Sequence, residues 1–298
     1  MSSHLQANVD NYVQGLQDHV FGIAIVFHEI SSNTTIRNLL FFVYFTQLIY
    51  YILLYIQMTY IWPAMQNLLF GKENNSQSQS DYLLFIIFVT IAYSLIRCFK
   101  FMADSYQYAA DNFRIHLKME EPKRPHDHGT AYAGFIWLIM FAIVQLFEQI
   151  AINFFWKDEI THYGLFHFCF GLLKIFAFFS NSLLNSFYAF DPCWIASNLD
   201  TDDRFDILST STLYFLGFGL PITTIGFISG YIGGFFYGYG SFLIYFPLTI
   251  FIASTLLKKR SKTSLSSSSF NYNSTTSYFP IYIDMSRKFA RILCRKKS

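Results

Sequence analysis

The chain has 298 residues, of which 53% are hydrophobic, 20% are aromatic and only 13% are charged. This charged fraction is about half of the roughly 25% usual in soluble domains, and together with a mean hydropathy of +0.32 it favours a membrane protein. A net charge of +2 without an extended basic face argues against nucleic-acid binding. The four cysteines show no spacing typical of a metal site or a disulfide framework.

The N-terminal segment, residues 1–38, lacks the basic stretch and the cleavage pattern of a secretory signal peptide. Apolar residues recur in it at helical spacing, which predicts an amphipathic helix over residues 8–29. That helix would either lie at the membrane interface or pack on the other helices, and both alternatives are open at this point.

Residues 39–257 are predicted to form the transmembrane domain of an all-α, multi-pass membrane protein. A hydrocarbon core about 30 Å thick requires about 20 apolar helical residues to cross it, and about six segments approach that length. Some are short or interrupted by glycine and proline, so they are candidates for re-entrant or discontinuous helices. The six segments are 39–62, 82–96, 133–155, 163–190, 210–228 and 232–257.

The last two segments belong to a stretch of 51 residues, 207–257, that contains no Asp, Glu, Lys, Arg or His. It is long enough to enter and leave the bilayer as a helical hairpin. Gly226, Gly230, Gly233 and Gly234 predict the tight turn of this hairpin and its close packing. Residues 191–206, just before it, contain five aspartates and one arginine and are predicted to be an acidic, polar connection.

Glu148 and Lys174 are the only Asp, Glu, Lys or Arg residues inside segments 133–155 and 163–190. In an antiparallel helix pair their depths differ by only about 3 Å, at about 1.5 Å per residue. We predict an ion pair that holds the two helices together, with a role in an ion or proton path as the alternative.

The C-terminal tail, residues 258–298, is predicted to be cytosolic because it carries the richest cluster of Lys and Arg next to the membrane. Its Ser/Thr-rich part is predicted to be disordered. The basic end would form either a short amphipathic helix on an anionic membrane or a solvated tail.

No sequence motif of a known catalytic, cofactor-binding or metal-binding chemistry is present, so no enzyme, cofactor or metal is expected. His126-Asp127-His128 offers two candidate ligands without a third at a recognisable spacing, and it is predicted to be a solvent-exposed loop.

Two stretches in the second half of the chain form a recognisable pattern. They are Asn185-Ser-Phe-Tyr-Ala-Phe-Asp-Pro192, followed by Trp194, and Tyr214-Phe-Leu-Gly-Phe-Gly-Leu-Pro221. With Phe246-Pro-Leu-Thr-Ile-Phe-Ile-Ala253 further on, they resemble the etoposide-induced protein 2.4 family over about residues 180–256. The chain departs from the family at Asp191, where the family has glutamate, and in its shorter, less basic N-terminal portion.

The resemblance implies a non-enzymatic, multi-pass protein of the endoplasmic-reticulum membrane that supports autophagosome formation. The family is distantly related to the bacterial CysZ sulfate transporters, so passage of a small anion such as sulfate is the alternative function. The implied partners are the lipid bilayer and, through the tail, the autophagy machinery. The signature positions are Tyr188, Asp191, Trp194, Tyr214, Gly217, Gly219 and Pro221.

The residue types in the second motif also have a physical interpretation of their own. Gly217 and Gly219 remove side-chain bulk where another backbone can approach, and Pro221 frees a carbonyl about one turn earlier. This pattern favours a kinked packing helix, with a site for an anion or a lipid headgroup at the freed carbonyl as the alternative.

Two features of the tail concern its subcellular localisation and its binding partners. Arg295 and Lys296 belong to a C-terminal Arg-Lys-Lys-Ser that resembles a dilysine-type retrieval signal of the endoplasmic reticulum. Tyr278-Phe-Pro-Ile281 has the shape of peptides that add a strand to autophagy ubiquitin-like proteins, although acidic neighbours are missing.

Overall fold

A computed structural model describes residues 2–61, 93, 97, 101, 104–119, 164–197, 199 and 201–263. Within these ranges every regular element is a helix, which confirms the predicted all-α class. A π-helical turn, Gln57–Ile61, follows the second helix. The α-helices are α1 (Ser2–Ser32), α2 (Thr34–Ile56), α3 (104–116), α4 (Gly164–Ala196), α5 (Thr201–Thr210), α6 (Thr212–Gly233) and α7 (Phe235–Thr263).

Three helical stretches in these ranges are long and apolar enough to cross a membrane: Thr34–Tyr60, Thr212–Gly233 and Phe236–Lys259. They correspond to α2 with its π-helical turn, to α6 and to most of α7. The helix α4, which contains residues 164–190 of the expected segment 163–190, does not belong to this set. The structure therefore supports three of the six expected segments, while 133–155 and nearly all of 82–96 lie outside the described residues.

The N-terminal helix α1 packs on the α6–α7 hairpin, which decides between the two alternatives left by the sequence. Gly15 lies against the α6 backbone at Tyr214, and Gly22 lies against the side chain of Ile252 on α7. The opposite face of α1 exposes large apolar side chains, among them Val20 and Phe27. The helix is thus part of the bundle and also presents an apolar face to its surroundings.

The predicted hairpin is present, but its turn is shorter than the sequence suggested. Gly234 alone separates α6 from α7, and its φ of +82° lies in the left-handed region that favours glycine. Gly226 and Gly230 lie inside α6 and face Gly238 of α7. These two glycines therefore allow the helices to approach each other closely and do not form the turn itself.

The predicted polar connection over residues 191–206 is wrong as a description of this segment. Helix α4 continues through Pro192 to Ala196, and α5 begins at Thr201. Asp191 is only 7% exposed and Arg204 is fully buried. The charged residues predicted a solvated loop. In the structure Asp191 and Arg204 instead form an ion pair inside the bundle.

The core lies where α4, α6 and α7 meet α1 and α3, and aromatic rings make up much of it. Phe190 packs against Phe218 with ring centroids 4.8 Å apart, and Phe113 of α3 stacks on Phe251 of α7 at 4.3 Å. By contrast, α2 exposes a row of large apolar side chains such as Phe41. Such a surface suits contact with lipid.

Candidate functional site

The second motif of the sequence forms the closest helix crossing between α1 and α6. A Cβ atom built on Gly217 would lie 2.0 Å from the carbonyl oxygen of Tyr12. Reciprocally, a Cβ atom on Gly15 would lie 2.0 Å from the carbonyl oxygen of Tyr214. The two backbones therefore touch directly, as small residues permit at helix interfaces in membranes.

Gly219, two residues further along α6, faces a different neighbour. A Cβ atom there would lie 1.9 Å from the carbonyl oxygen of Ser182 on α4. The Ser182 hydroxyl donates a hydrogen bond of 2.7 Å to the carbonyl of Leu216, and the Ser186 hydroxyl donates to that of Phe215. The motif thus joins α1 on one side of α6 and α4 on the other.

Pro221 does not end the helix, because α6 runs without a break from Thr212 to Gly233. The carbonyl that a proline at this position leaves without its usual partner is that of Gly217, on the face covered by α1. Neighbouring backbone occupies the space at both Gly217 and Gly219. This arrangement favours the packing interpretation of the motif over a ligand site at the glycines.

Tyr214, the first residue of the motif, links α6 to α1 through a polar contact. Its ring is fully buried, and its hydroxyl donates a hydrogen bond of 3.0 Å to the carboxylate of Asp18. Of the first motif, Trp194 is 1% exposed and stacks on Phe190 at 5.5 Å. Tyr188 is half-buried at the edge of the core, beside Phe187.

His19 also lies at this crossing, and the sequence analysis did not single it out. Its ring lies 4.8 Å from the ring of Phe218 and stacks on Tyr245 at 5.7 Å, and its Nε2 is 3.2 Å from the Tyr245 hydroxyl. Burial lowers the pKa of His19 to about 4, although the nearby Phe218 backbone partly opposes this shift. The imidazole is therefore neutral at physiological pH.

A second polar group lies at the end of α4, and we call it the polar corner: Gln107, Arg114, Asp191, Cys193 and Arg204. Its central contact is an ion pair in which Nη1 of Arg204 lies 2.8 Å from Oδ1 of Asp191. The Cys193 thiol lies 3.0 Å from the Ser254 hydroxyl of α7. The corner thus joins four helices, α3, α4, α5 and α7.

Helix α3 caps the C-terminal end of α4 inside this polar corner. Arg114 donates a hydrogen bond of 2.8 Å to the carbonyl of Cys193 and one of 3.2 Å to the hydroxyl of Ser197. Gln107 donates one of 3.1 Å to the carbonyl of Pro192. The Cys193 carbonyl also accepts a hydrogen bond of 3.1 Å from the Ser197 backbone N–H, so Arg114 adds a second donor there. A cation at this end of α4 also complements the helix dipole.

Asp191 is a predicted signature position, but its partner Arg204 and the nearby Arg114 were not predicted from the sequence. Arg114 lies outside the six predicted segments, and Arg204 lies in the predicted polar connection. The single arginine among five aspartates in 191–206 was the signal that could have suggested the pair.

Other predicted site residues lie apart from both features. Lys174 is exposed on α4, and its expected partner Glu148 lies outside the described residues, so the ion pair stays a prediction. Arg295, Lys296 and the rest of residues 264–298 are also outside them. Within the described ranges no group of three His, Cys, Asp or Glu side chains can hold a metal ion.

The fold and these two features define a helical protein with three helices able to cross a membrane. No family model, no curated protein and no solved structure matches the chain. The resemblance to the etoposide-induced protein 2.4 family therefore stays a prediction from the two sequence motifs.

Proposed function

We propose that this chain is a non-enzymatic, multi-pass protein of the endoplasmic-reticulum membrane that supports autophagosome formation, as its resemblance to the etoposide-induced protein 2.4 family implies. The observation that carries the proposal is the position of the resembling residues. Two of them, Gly217 and Gly219, admit the backbones of α1 and α4 into close contact with α6. Residues that let helix backbones pack closely are more typical of a structural scaffold than of a catalytic centre.

In this proposal the bundle is the membrane anchor and the tail is the part that meets partners. Lys258 and Lys259 end the charge-free stretch at the C-terminal end of α7. The basic tail would begin there on the cytosolic face, and Arg295 and Lys296 would act as the retrieval signal. Membrane shaping by the apolar faces of α1 and α2 and recruitment through the tail are the two physical routes to autophagosome formation.

The proposal is tested in cells from which the gene for this chain has been deleted. We expect autophagic turnover of a reporter to stall and wild-type protein to restore it. A variant ending at Thr263 should reach the membrane but fail to restore turnover if the tail recruits partners. Normal turnover in the deleted cells would contradict the proposal.

One observation favours the alternative function, a pathway for a small anion. Arg114 and Arg204 are 3% and 0% exposed, and Nε of Arg114 has no hydrogen-bond partner among the described residues. Buried guanidinium groups are the donors that sulfate prefers. Purified protein in liposomes would then pass sulfate, and Arg114→Gln would abolish the flux. The autophagy role instead predicts stalled turnover without any change in cellular sulfate.

A further inference from the structure

Helices α1, α2 and α3 meet at a chain of hydrogen bonds around the residue that joins the first two. Asn33 is the single residue between α1 and α2, and it is the N-cap of α2. Its Oδ1 accepts hydrogen bonds of 2.8 Å and 3.3 Å from the backbone N–H groups of Thr35 and Ile36. Its Nδ2 lies 3.2 Å from Nδ1 of His116, the last residue of α3. On the other side of the imidazole, Nε2 lies 3.2 Å from the carboxylate of Glu29 on α1.

The capping contacts determine which nitrogen of His116 carries the proton. Because Oδ1 of Asn33 faces the two N–H groups of α2, its Nδ2 faces His116 and can only donate. Nδ1 of His116 must therefore accept, so it carries no proton. A neutral imidazole then has its one proton on Nε2, which donates to the Glu29 carboxylate. Every donor from Glu29 to α2 meets an acceptor, but only while His116 is neutral.

A second proton on His116 changes this arrangement on one side only. Nδ1 would become a donor that faces the donor Nδ2 of Asn33, so that hydrogen bond would be lost. Asn33 cannot turn its amide over without giving up the cap of α2. The contact with Glu29 would become a charge-assisted hydrogen bond and persist. Since the side chains of His116 and Glu29 are 32% and 30% exposed, water reaches the site and can supply the proton.

The charged and titratable groups around this site come from every helix that meets there. In the described part of the chain they are His28 and Glu29 of α1, Arg37 of α2, Lys118 just after α3, and Lys258 and Lys259 of α7. Glu29 contacts the imidazole itself, and the two α7 lysines line one cleft with Glu29. The carboxylate favours a charged imidazole and the cations oppose it, so no single sign of charge surrounds the ring.

Contacts further along α2 and α3 are independent of His116. The Thr46 hydroxyl donates a hydrogen bond of 3.2 Å to the Ser105 hydroxyl, and the Gln47 amide donates to the Tyr106 hydroxyl. These bonds contain no group that titrates near neutral pH. Protonation of His116 would therefore release only the start of α2, at its joint with α1, and leave the rest of the helix pair in place.

We propose that His116 is a pH-sensitive latch for the joint between α1 and α2. With a neutral ring it holds both helices against the end of α3, and with a charged ring it holds α1 alone. Histidine is the side chain whose charge ordinarily changes between pH 5 and 8, so this latch responds to changes of pH that occur in cells. The proposal is independent of the proposed function in autophagy.

The test is a double-mutant cycle of thermal unfolding with Asn33→Ser and His116→Phe in the full-length protein in detergent. Serine keeps an N-cap for α2 but lacks the Nδ2 donor, and phenylalanine keeps a ring that stacks on Phe113. The melting temperatures should show a favourable coupling of about 2–4 °C at pH 8, as expected for one hydrogen bond. The coupling should be absent at pH 5. His28→Phe, at an exposed histidine of α1, is the matched control and should show no coupling with Asn33→Ser at either pH.

Asn33→Asp should reverse the pH dependence. A carboxylate also caps α2, but it accepts a hydrogen bond where the amide donates one, so it matches the charged ring. Its coupling with His116 should therefore be larger at pH 5 than at pH 8. A coupling that is the same at both pH values for Asn33→Ser, or that changes in the same direction for Asn33→Asp, would overturn the latch.

Nitrogen-15 spectra of histidine-labelled wild-type protein give an independent readout of the ring. The His116 signals are identified by their absence from the spectrum of His116→Phe. At pH 8 we expect the proton on Nε2 and none on Nδ1, and at pH 5 a proton on both. A proton on Nδ1 at pH 8 would contradict the hydrogen-bond chain and the latch with it.

Discussion

Gly217 of α6 and Tyr12 of α1 meet backbone to backbone, and a Cβ atom on Gly217 would lie 2.0 Å from the Tyr12 carbonyl oxygen. No side chain can move aside to relieve this contact, because both partners are main chain. The helices α1 and α6 would have to separate. The crossing therefore depends on glycine at this position and, for the same reason, at Gly15.

Gly217→Ala is expected to lower the stability of the protein by about 1–3 kcal/mol, the usual cost of overpacking a tight core. Gly15→Ala should have a similar effect, because it enters the same crossing from α1. The measurement is thermal unfolding of the detergent-purified protein. Gly171→Ala is the matched control, since nothing lies within 4 Å of its Cβ position on α4. Equal melting temperatures for Gly217→Ala and Gly171→Ala would contradict the crossing.

Arg204→Met is expected to destabilise the protein by about 3–5 kcal/mol, because it leaves the buried Asp191 without its charge partner. The double variant Asp191→Leu/Arg204→Met should recover most of this loss, since a buried ion pair can often be replaced by apolar side chains. A double-mutant cycle of thermal unfolding measurements gives the coupling free energy between Asp191 and Arg204. Arg37→Met, at an exposed arginine, should cost less than about 1 kcal/mol. Additive effects of the two single changes at the pair would refute the coupling.

Burial lowers the pKa of His19 from 6.5 to about 4, so the unfolded state binds a proton more readily than the folded state in this interval. The contribution of neutral His19 to stability is complete above pH 6.5 and is lost as the pH falls towards 4. The slope is at most about 1.4 kcal/mol per pH unit. Thermal unfolding between pH 7.5 and 5 should therefore depend less on pH in His19→Gln than in the wild type. Parallel curves for the two proteins would show that His19 does not titrate in this way.

Gly234→Ala is expected to lower stability by about 1–2 kcal/mol, because a side chain at positive φ meets its own backbone. Its Cβ would meet no other atom within 4 Å, so the cost is conformational. Gly234→Asn should cost about as much, since with a ψ of −176° this conformation lies outside the αL region that asparagine tolerates. Gly240→Ala is the control, with only an ordinary contact of 3.5 Å to Tyr51. Melting temperatures in detergent provide the comparison, and a loss for Gly234→Ala no larger than that for Gly240→Ala would argue against a conformational cause.

Alkaline carbonate washing of membranes should leave the intact chain in the pellet. The described residues include three helices that are long and apolar enough to cross a membrane. Contact between such helices and lipid is hydrophobic, so alkaline pH does not disrupt it. Immunoblots of pellet and supernatant give the distribution. Release of the intact protein into the supernatant would refute membrane insertion, and with it the proposed function.

Local sequence features predicted the hairpin well. The expected segments 210–228 and 232–257 correspond to α6 and α7, which meet at Gly234. The length of a charge-free stretch and the positions of its glycines can be read from neighbouring residues alone, so they predict a helical hairpin without knowledge of the rest of the fold. The same reasoning failed over 191–206, where five aspartates suggested solvent, because the partner helix α3 is distant in sequence.

The sequence by itself determined that the chain is helical, that its second half prefers lipid to water and that two motifs stand out, one of them with two glycines. These conclusions depend on hydropathy and periodicity, which are local and additive along the chain. Only the tertiary structure decided that Gly217 meets α1 while Gly219 meets α4, and that Arg114 of α3 bonds the end of α4. Such contacts depend on which surfaces come together across long separations in the chain, and no single segment contains that information.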